Sequence, residues 1–299
     1  MDKSITTMPA GHSENQPSVP QEFQQWKYQD NFVQSVLSWI MKSGKRLKPF
    51  QAVLYIFRLG KIPGLRLLIP WLNPKKNSFT YLPVNQSLKS GTNTVLPAQI
   101  IHDFIEEATI HVIMDQCGCR ILSDCKNHTH DVGCLFMGET ALKLPHAVSR
   151  RVDRQQAHEH VEKAISNGLI PMSGKVRIDN FIYMTPDRKK LLSVCFCCPC
   201  CCILRSYKHL PGIYLDGIIE PIAGLSVRVS DRCVGCGTCL STCPFDAIRI
   251  IDGRAVHSAN CRGCGRCETN CPQGAVEIKI ENQAYAEKIK DRIHSYVQF

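Results

Sequence analysis

Between Asn31 and His102 the chain contains no aspartate or glutamate, although ten lysines and arginines fall there. The other 26 basic residues match the 26 acidic ones, so the net charge of +10 belongs to this one tract. Basic residues interleaved with Trp39, Phe50, Tyr55, Phe57 and Trp71 suit an anionic membrane surface or an acidic partner protein through residues 31–102, and nucleic acid is not expected. Long apolar runs are missing too. The most apolar stretch, Ile62 to Leu72, holds Arg66 and two prolines and is far shorter than the roughly 20 residues that cross a bilayer. The opening MDKSITTMPAGHSENQPSVP lacks the apolar core of a secretory signal, which predicts a cytoplasmic protein, at most peripheral at the inner face of the membrane. The G-x-G-x-x-G, P-loop and G-x-S-x-G patterns are absent, so nothing indicates nucleotide or serine-hydrolase chemistry.

Cysteine, by contrast, is abundant: 18 in 299 residues. Thiols stay reduced inside cells, so this number points to metal ligation rather than disulfides. The length predicts two or three folded units. Residues 1–25, rich in Ser, Gln and Pro, read as a disordered tail. Residues 26–92 read as a basic apolar helical arm, with helical pieces at Phe32 to Trp39 and Phe50 to Leu59 cut apart by Pro49, Pro63, Pro70 and Pro74. This arm either lies on a surface or forms a helical hairpin covering the core. A cysteine-rich domain follows over 93–223, a repeat region over 224–281 and a helix over 282–299.

Local patterns place the elements. Pro97 predicts a helix that carries Ile100, Ile101, Phe104, Ile105, Ala108 and Val112 on one side and leads straight into Cys117. Asp153 with Gln156 forms a capping box before the stripe Ala157, Val161, Ala164 and Ile165, and Gly168 is the stop. His158 and His160 stand two positions apart on that helix, a spacing that does not let them share a metal. Leu169 to Met184 reads as a short hairpin. Gln283 to Val297 reads as an amphipathic helix whose Tyr285, Ile289, Ile293 and Tyr296 or Val297 dock either on the repeat region or on the cysteine-rich domain.

Two ligand strings stand 28 residues apart: Cys233, Cys236, Cys239 and Cys243 before Pro244, and Cys261, Cys264, Cys267 and Cys271 before Pro272. Each reads C-x2-C-x2-C-x3-C-P, in which two-residue gaps gather three thiolates around one cubane. Zinc ribbons also use C-x2-C pairs, but two four-ligand strings each ending in Cys-Pro are far more specific. With Asp246-Ala247-Ile248 and Gly274-Ala275-Val276 at equivalent places, residues 225–281 resemble the bacterial-type dicluster ferredoxin family. The resemblance implies two [4Fe-4S] clusters and a pseudo-twofold βαββαβ fold. It also implies crossed ligation, with Cys233, Cys236, Cys239 and Cys271 on one cluster and Cys261, Cys264, Cys267 and Cys243 on the other. Strands are expected near Ser226 to Val229, Ile248 to Ile251, Ala255 to His257 and Val276 to Ile280, with Asp252-Gly253 turning the central hairpin.

Ten cysteines remain upstream: Cys117, Cys119, Cys125 and Cys134, then Cys195, Cys197, Cys198, Cys200, Cys201 and Cys202. Six thiols in eight residues invite oxidation without packing benefit, so a metal or cluster site is expected here, either a third iron-sulfur cluster or zinc. An extended 195–202 puts Cys195, Cys197 and Cys201 on one face and Cys198, Cys200 and Cys202 on the other. His128, His130 and Asp131 offer mixed ligation. Arg120 offers a cation to thiolates or to an anionic substrate, or else an exposed ion pair. The order of parts, CxCR and CCxCCC followed by the dicluster strings, looks like a class of uncharacterised iron-sulfur proteins of anaerobes.

The expected architecture is therefore α+β: a pseudo-twofold ferredoxin fold appended to a mainly helical cysteine-rich domain with a short hairpin. The expected function is an iron-sulfur electron-transfer protein with a redox partner protein, relaying single electrons to or from the upstream site. Two other readings stay open. One is an iron-sulfur oxidoreductase with its catalytic centre in residues 117–202, and the other is a redox-sensing adaptor with a zinc-stabilised middle domain.

Overall fold

Short strands made almost wholly of buried residues, such as His111-Val112-Ile113-Met114 and Leu135-Phe136-Met137, can only sit in the middle of a sheet covered on both faces. A computed structural model, which describes residues 30–43, 61–62, 69–85, 88, 96–185 and 189–299, shows that sheet. Its six strands are β1 (Ser78–Tyr81), β2 (His111–Met114), β3 (Leu135–Met137), β4 (Ser149–Val152), β5 (Ile170–Lys175) and β6 (Leu192–Cys197), in the order β1-β5-β6-β3-β2-β4 with every pair antiparallel. The protein thus combines helices and sheets, and the cysteine-rich domain, expected to be mainly helical with one short hairpin, is organised around this sheet. The expected hairpin over Leu169 to Met184 is also corrected: β5 pairs with β1 and β6, and a helix follows it.

Helices α1 (Phe32–Ser43), α2 (Gln99–Glu107), α3 (Gly118–Leu122), α4 (Arg154–Ser166), α5 (Arg177–Ile182) and α6 (Gly212–Ile218) cover this sheet. On α2 the side chains of Ile100, Ile101, Phe104 and Ile105 are buried as the pattern requires, but the helix starts at Gln99, and Val112 belongs to β2, which separates it from Cys117. The capping box of α4 is present in both directions: Gln156 N donates to Asp153 Oδ1 at 2.8 Å, and Asp153 N donates to Gln156 Oε1 at 3.1 Å. Side chains alternate along the central strands. Leu192, Val194 and Phe196 join a core with α2 and α4, while Cys195 and Cys197 face a second core on the other side.

Of the basic arm, α1 packs on the sheet domain: Met41 is buried, and Gln34 Nε2 donates to Lys143 O and Tyr183 O, each at 2.9 Å. Phe32 and Trp39 are exposed at 83% and 63%. The predicted tail 1–25 and the piece Phe50 to Leu59 lie outside the described residues. No helix among the described residues is long and apolar enough to cross a membrane.

The remainder runs β7 (Leu225–Val229), α7 (Thr238–Thr242), β8 (Ile248–Ile251), β9 (Arg254–His257), α8 (Arg266–Thr269) and β10 (Val276–Ile280). Strand β7 pairs antiparallel with β10, and β8 with β9 across a turn in which Asp252 and Gly253 both adopt positive φ (48° and 73°), the geometry of an Asp-Gly hairpin. The last helix, α9 (Tyr285–Tyr296), buries Tyr285, Ile289 and Ile293 in the same core as Phe104 and Val194. It therefore ties the carboxyl end back to the sheet domain.

Candidate metal centres

Each of the two strings makes a loop, one helical turn and a return. Cys233, Cys236, Cys239 and, from the other string, Cys271 line one cavity. Cys243 in turn lies within electrostatic reach of Cys261, Cys264 and Cys267. Amide hydrogens point at the sulfurs: Ala255 N donates to Cys233 Sγ at 3.4 Å, and Ala247 N and Ala275 N donate to Cys243 and Cys271 at 3.3 Å. Such donors favour a thiolate, and they fit an anionic iron-sulfur group at these positions.

The two strings face different surroundings. Val234 and Thr238 of the first are exposed, whereas Arg262 and Arg266, at the equivalent places after Cys261 and before Cys267, are 2% and 4% exposed. Arg262 reaches Ile219 O at 3.0 Å and pairs with Asp216 at 2.5 Å, and Arg266 donates to Cys197 O at 2.5 Å. Asn85 Nδ2 donates to Gly265 O at 2.9 Å, and Gly265, with φ of 81°, leaves room for it: a Cβ there would stand 1.7 Å from Asn85 Oδ1. Neither arginine stands out as functional in the sequence alone; the signal there is the contrast with Val234 and Thr238 at the matching places of the first string, which points to another neighbour for the second.

The ten upstream cysteines separate into two groups. Register brings the first together. Leu135 pairs with Val194 in the β3–β6 ladder, which sets Cys134 beside Cys195, their sulfurs 3.7 Å apart. Cys202 returns to Cys197 at 3.0 Å, and α3 contributes Cys117 and Cys119, whose thiols hydrogen-bond. These six, together with Cys198, line a cavity of about 360 Å³ whose other walls include Met41, Trp71, Phe181 and Ile182. The thiol of Cys119 hydrogen-bonds to Cys117, and this with nearby Arg120 lowers Cys117 to about 6, against the effect of burial. Burial pushes Asp179, on the cavity wall, up to about 6, and its Oδ2 has no hydrogen-bond partner among the described residues.

The second group is Cys125, Cys198, Cys200 and Cys201, whose four sulfurs lie within 4.8 Å of one another. The alternation expected over 195–202 is therefore corrected at its end. The strand stops at Cys197, and a turn at Pro199 carries Cys201 to the side of Cys198 and returns Cys202 to the side of Cys197. His128, His130 and Asp131 do not join either group: His130 binds Cys125 O at 2.9 Å and Asp131 pairs with Lys163 at 2.7 Å. On α4, His160 binds Gly133 O at 2.8 Å while His158 meets His102 at 2.7 Å, so the two point apart.

Arg120 stands between the groups. Its side chain is buried, with Nη1 donating to Phe196 O at 3.0 Å and Nη2 to Val132 O, and Nε is without a partner among the described residues. It is no exposed ion pair. Burial alone depresses a guanidinium, but Cys117, Cys198, Cys134 and Cys119 outweigh that and raise it. A buried cation with a spare donor among thiols fits an anionic centre.

Residues 232–275 match the family model described as 4Fe-4S dicluster domain. This segment is a ferredoxin-type dicluster domain, and it implies [4Fe-4S] clusters on its cysteines. No curated protein and no solved structure matches the chain.

Proposed function

We propose that this protein carries single electrons between an external redox partner and an iron-sulfur centre held by the six cysteines of the upstream cavity. The route runs through two [4Fe-4S] clusters with crossed ligands. Bound clusters supply one-electron exchange. The chain supplies the order: the first string, with Cys236 exposed, is the face open to a partner, and the second string is the one buried against the cavity. One observation carries the reading. Arg266, two residues after Cys264, donates to the carbonyl of Cys197, whose thiol lines the cavity. Tyr81, 1% exposed, lies within electrostatic range of Cys197, Cys202 and Cys264, so one buried ring sits among the thiols of both sites.

Six thiols around one cavity exceed the four that a cubane uses. That surplus favours a second reading, an oxidoreductase whose substrate enters the apolar cavity and is reduced through the same relay. Turnover of an added substrate by the reduced chain separates this from a plain carrier. The basic arm, with Phe32, Val36 and Trp39 exposed along α1, suits an acidic partner or an anionic membrane face. Flotation with anionic liposomes, lost on charge reversal at Lys42, Lys45, Arg46 and Lys48, tests that surface.

The relay is tested by iron and sulfide counts on the anaerobically purified full chain. More than about eight irons are expected, with the excess lost and about eight retained in the variant Cys117→Ala/Cys195→Ala. A full chain that holds no more than about eight irons after reconstitution rejects it.

A further inference from the structure

Ten upstream thiols are more than one centre of any common kind uses, and their spacing is uneven. Cys125 and Cys200 stand 3.5 Å apart, Cys198 and Cys200 3.7 Å, and Cys200 and Cys201 3.5 Å. Four thiolates at 2.3 Å from a single zinc ion define a tetrahedron with edges of about 3.8 Å. A cubane places four irons and four sulfides between its thiolates and so needs wider corners. The same chain provides a ruler for this: among the described residues, no three cysteines of the dicluster strings lie as close together as these four.

We propose that Cys125, Cys198, Cys200 and Cys201 hold one zinc ion as a tetrathiolate site, distinct from the redox centre of the six other cysteines, with Cys198 on the wall that the site shares with their cavity. Three further observations support a built site. The amide of Cys201 donates to Cys198 Sγ at 3.3 Å, and the amides of Asn127 and His128 donate to Cys125, so the sulfurs are held as acceptors by backbone that a turn has already fixed. Arg120 lies within electrostatic range of Cys198, and Arg205 Nη1 donates to Cys200 O, which places cations beside four thiolates that carry more charge than one divalent ion cancels. The tetrad packs with the core of Phe104 and Val194, whereas Cys197 and Cys202 belong to the core of Tyr81 on the other side of the sheet.

Zinc has no redox chemistry at such a site, so its work is mechanical. It joins the loop after α3 to the turn after β6. Each of these segments adjoins a cavity thiol, Cys119 on the helix before the loop and Cys202 after the turn. The ion thereby fixes both cavity ligands from behind. The zinc site stands on its own geometry, and only the assignment of the other six cysteines to a redox centre rests on the proposed relay.

The test is elemental analysis of the full chain, expressed with both metals supplied and purified without oxygen. About one zinc per chain is expected, unchanged by reduction with dithionite. The variant Cys200→Ala/Cys201→Ala should lower zinc at least fivefold with iron retained. Because that variant can fail to fold, Cys201→His provides a second arm: it keeps a nitrogen ligand and should keep the zinc. Cobalt supplied in place of zinc should show the visible absorption of a tetrahedral thiolate site, shifted in the histidine variant. A folded, iron-replete chain without zinc, or an Ala variant that sheds iron instead, overturns the proposal. About eight irons with about one zinc would reject the relay and leave the zinc site standing.

Discussion

The guanidinium of Arg266 donates to the carbonyl oxygen of Cys197 at 2.5 Å, joining a residue inside the second ligand string to the last residue of β6. Arg266 is buried, and its charge lowers the pKa of Cys264, which burial pushes up to about 11. A positive charge at this point favours the more negative, reduced state of a neighbouring cluster. Arg266→Ala should therefore make the potential of that cluster more negative by roughly 50–100 mV, and Arg266→Lys should recover most of the shift. Potentiometric EPR titration of the two variants reads this directly.

Gly265 lies in the left-handed region and carries Asn85 where a side chain would be. Gly265→Ala should destabilise the contact between the two domains by about 2–4 kcal/mol, from left-handed strain and overpacking together. Gly237, with φ of 78° but, among the described residues, only Leu240 within reach at 3.5 Å, should tolerate Ala better. Chemical denaturation of both variants gives the comparison.

Crossed ligation makes a specific demand. If Cys271 completes the cage begun by Cys233, then Cys271→Ala should remove the cluster of the first string while the second keeps its own three cysteines and Cys243. Iron should fall by about four, and the lost EPR signal should be the solvent-exposed one. Loss of the second-string signal instead would show uncrossed cages.

Helix α9 follows the dicluster segment in sequence but packs in the sheet core, where Ile293 is 0% exposed. Ile293→Ala should cost about 2–5 kcal/mol, seen as unfolding of the upstream domain at lower denaturant with the ferredoxin EPR signals retained.

His160 is buried, binds Gly133 O at 2.8 Å, and has its pKa lowered by burial despite that bond. The unfolded chain protonates this histidine near its ordinary value of about 6.5, while the folded chain resists. The unfolded state thus binds more protons as pH drops below about 6.5, and the stability present above that pH is lost as pH falls. His160→Gln should show a smaller loss of Tm between pH 7 and pH 5, measured as the difference from wild type so that acid lability of clusters cancels.

Sequence reading succeeded where one short segment contains the whole instruction. The capping box at Asp153 and Gln156, the Asp252-Gly253 turn and the spacing of the dicluster strings all act within a few residues. It failed on the upstream sheet. Strands of three and four residues that are buried on both faces show no alternation, and β5 carries Pro171 and Gly174, which ordinarily speak against a strand. Extending the alternation past Cys197 exchanged Cys201 with Cys202, because the turn at Pro199 reverses which side each one faces.

The sequence by itself determined that there are two four-cysteine strings and that thiolate chemistry dominates the molecule, since ligand type and loop spacing are local properties of the chain. Only the tertiary structure decided which of the upstream thiols are neighbours. Cys134 meets Cys195 through strand register, and Cys125 meets Cys200 through the packing of two distant loops. Contacts across 61 and 75 residues depend on how the sheet closes, and no spacing along the chain encodes that.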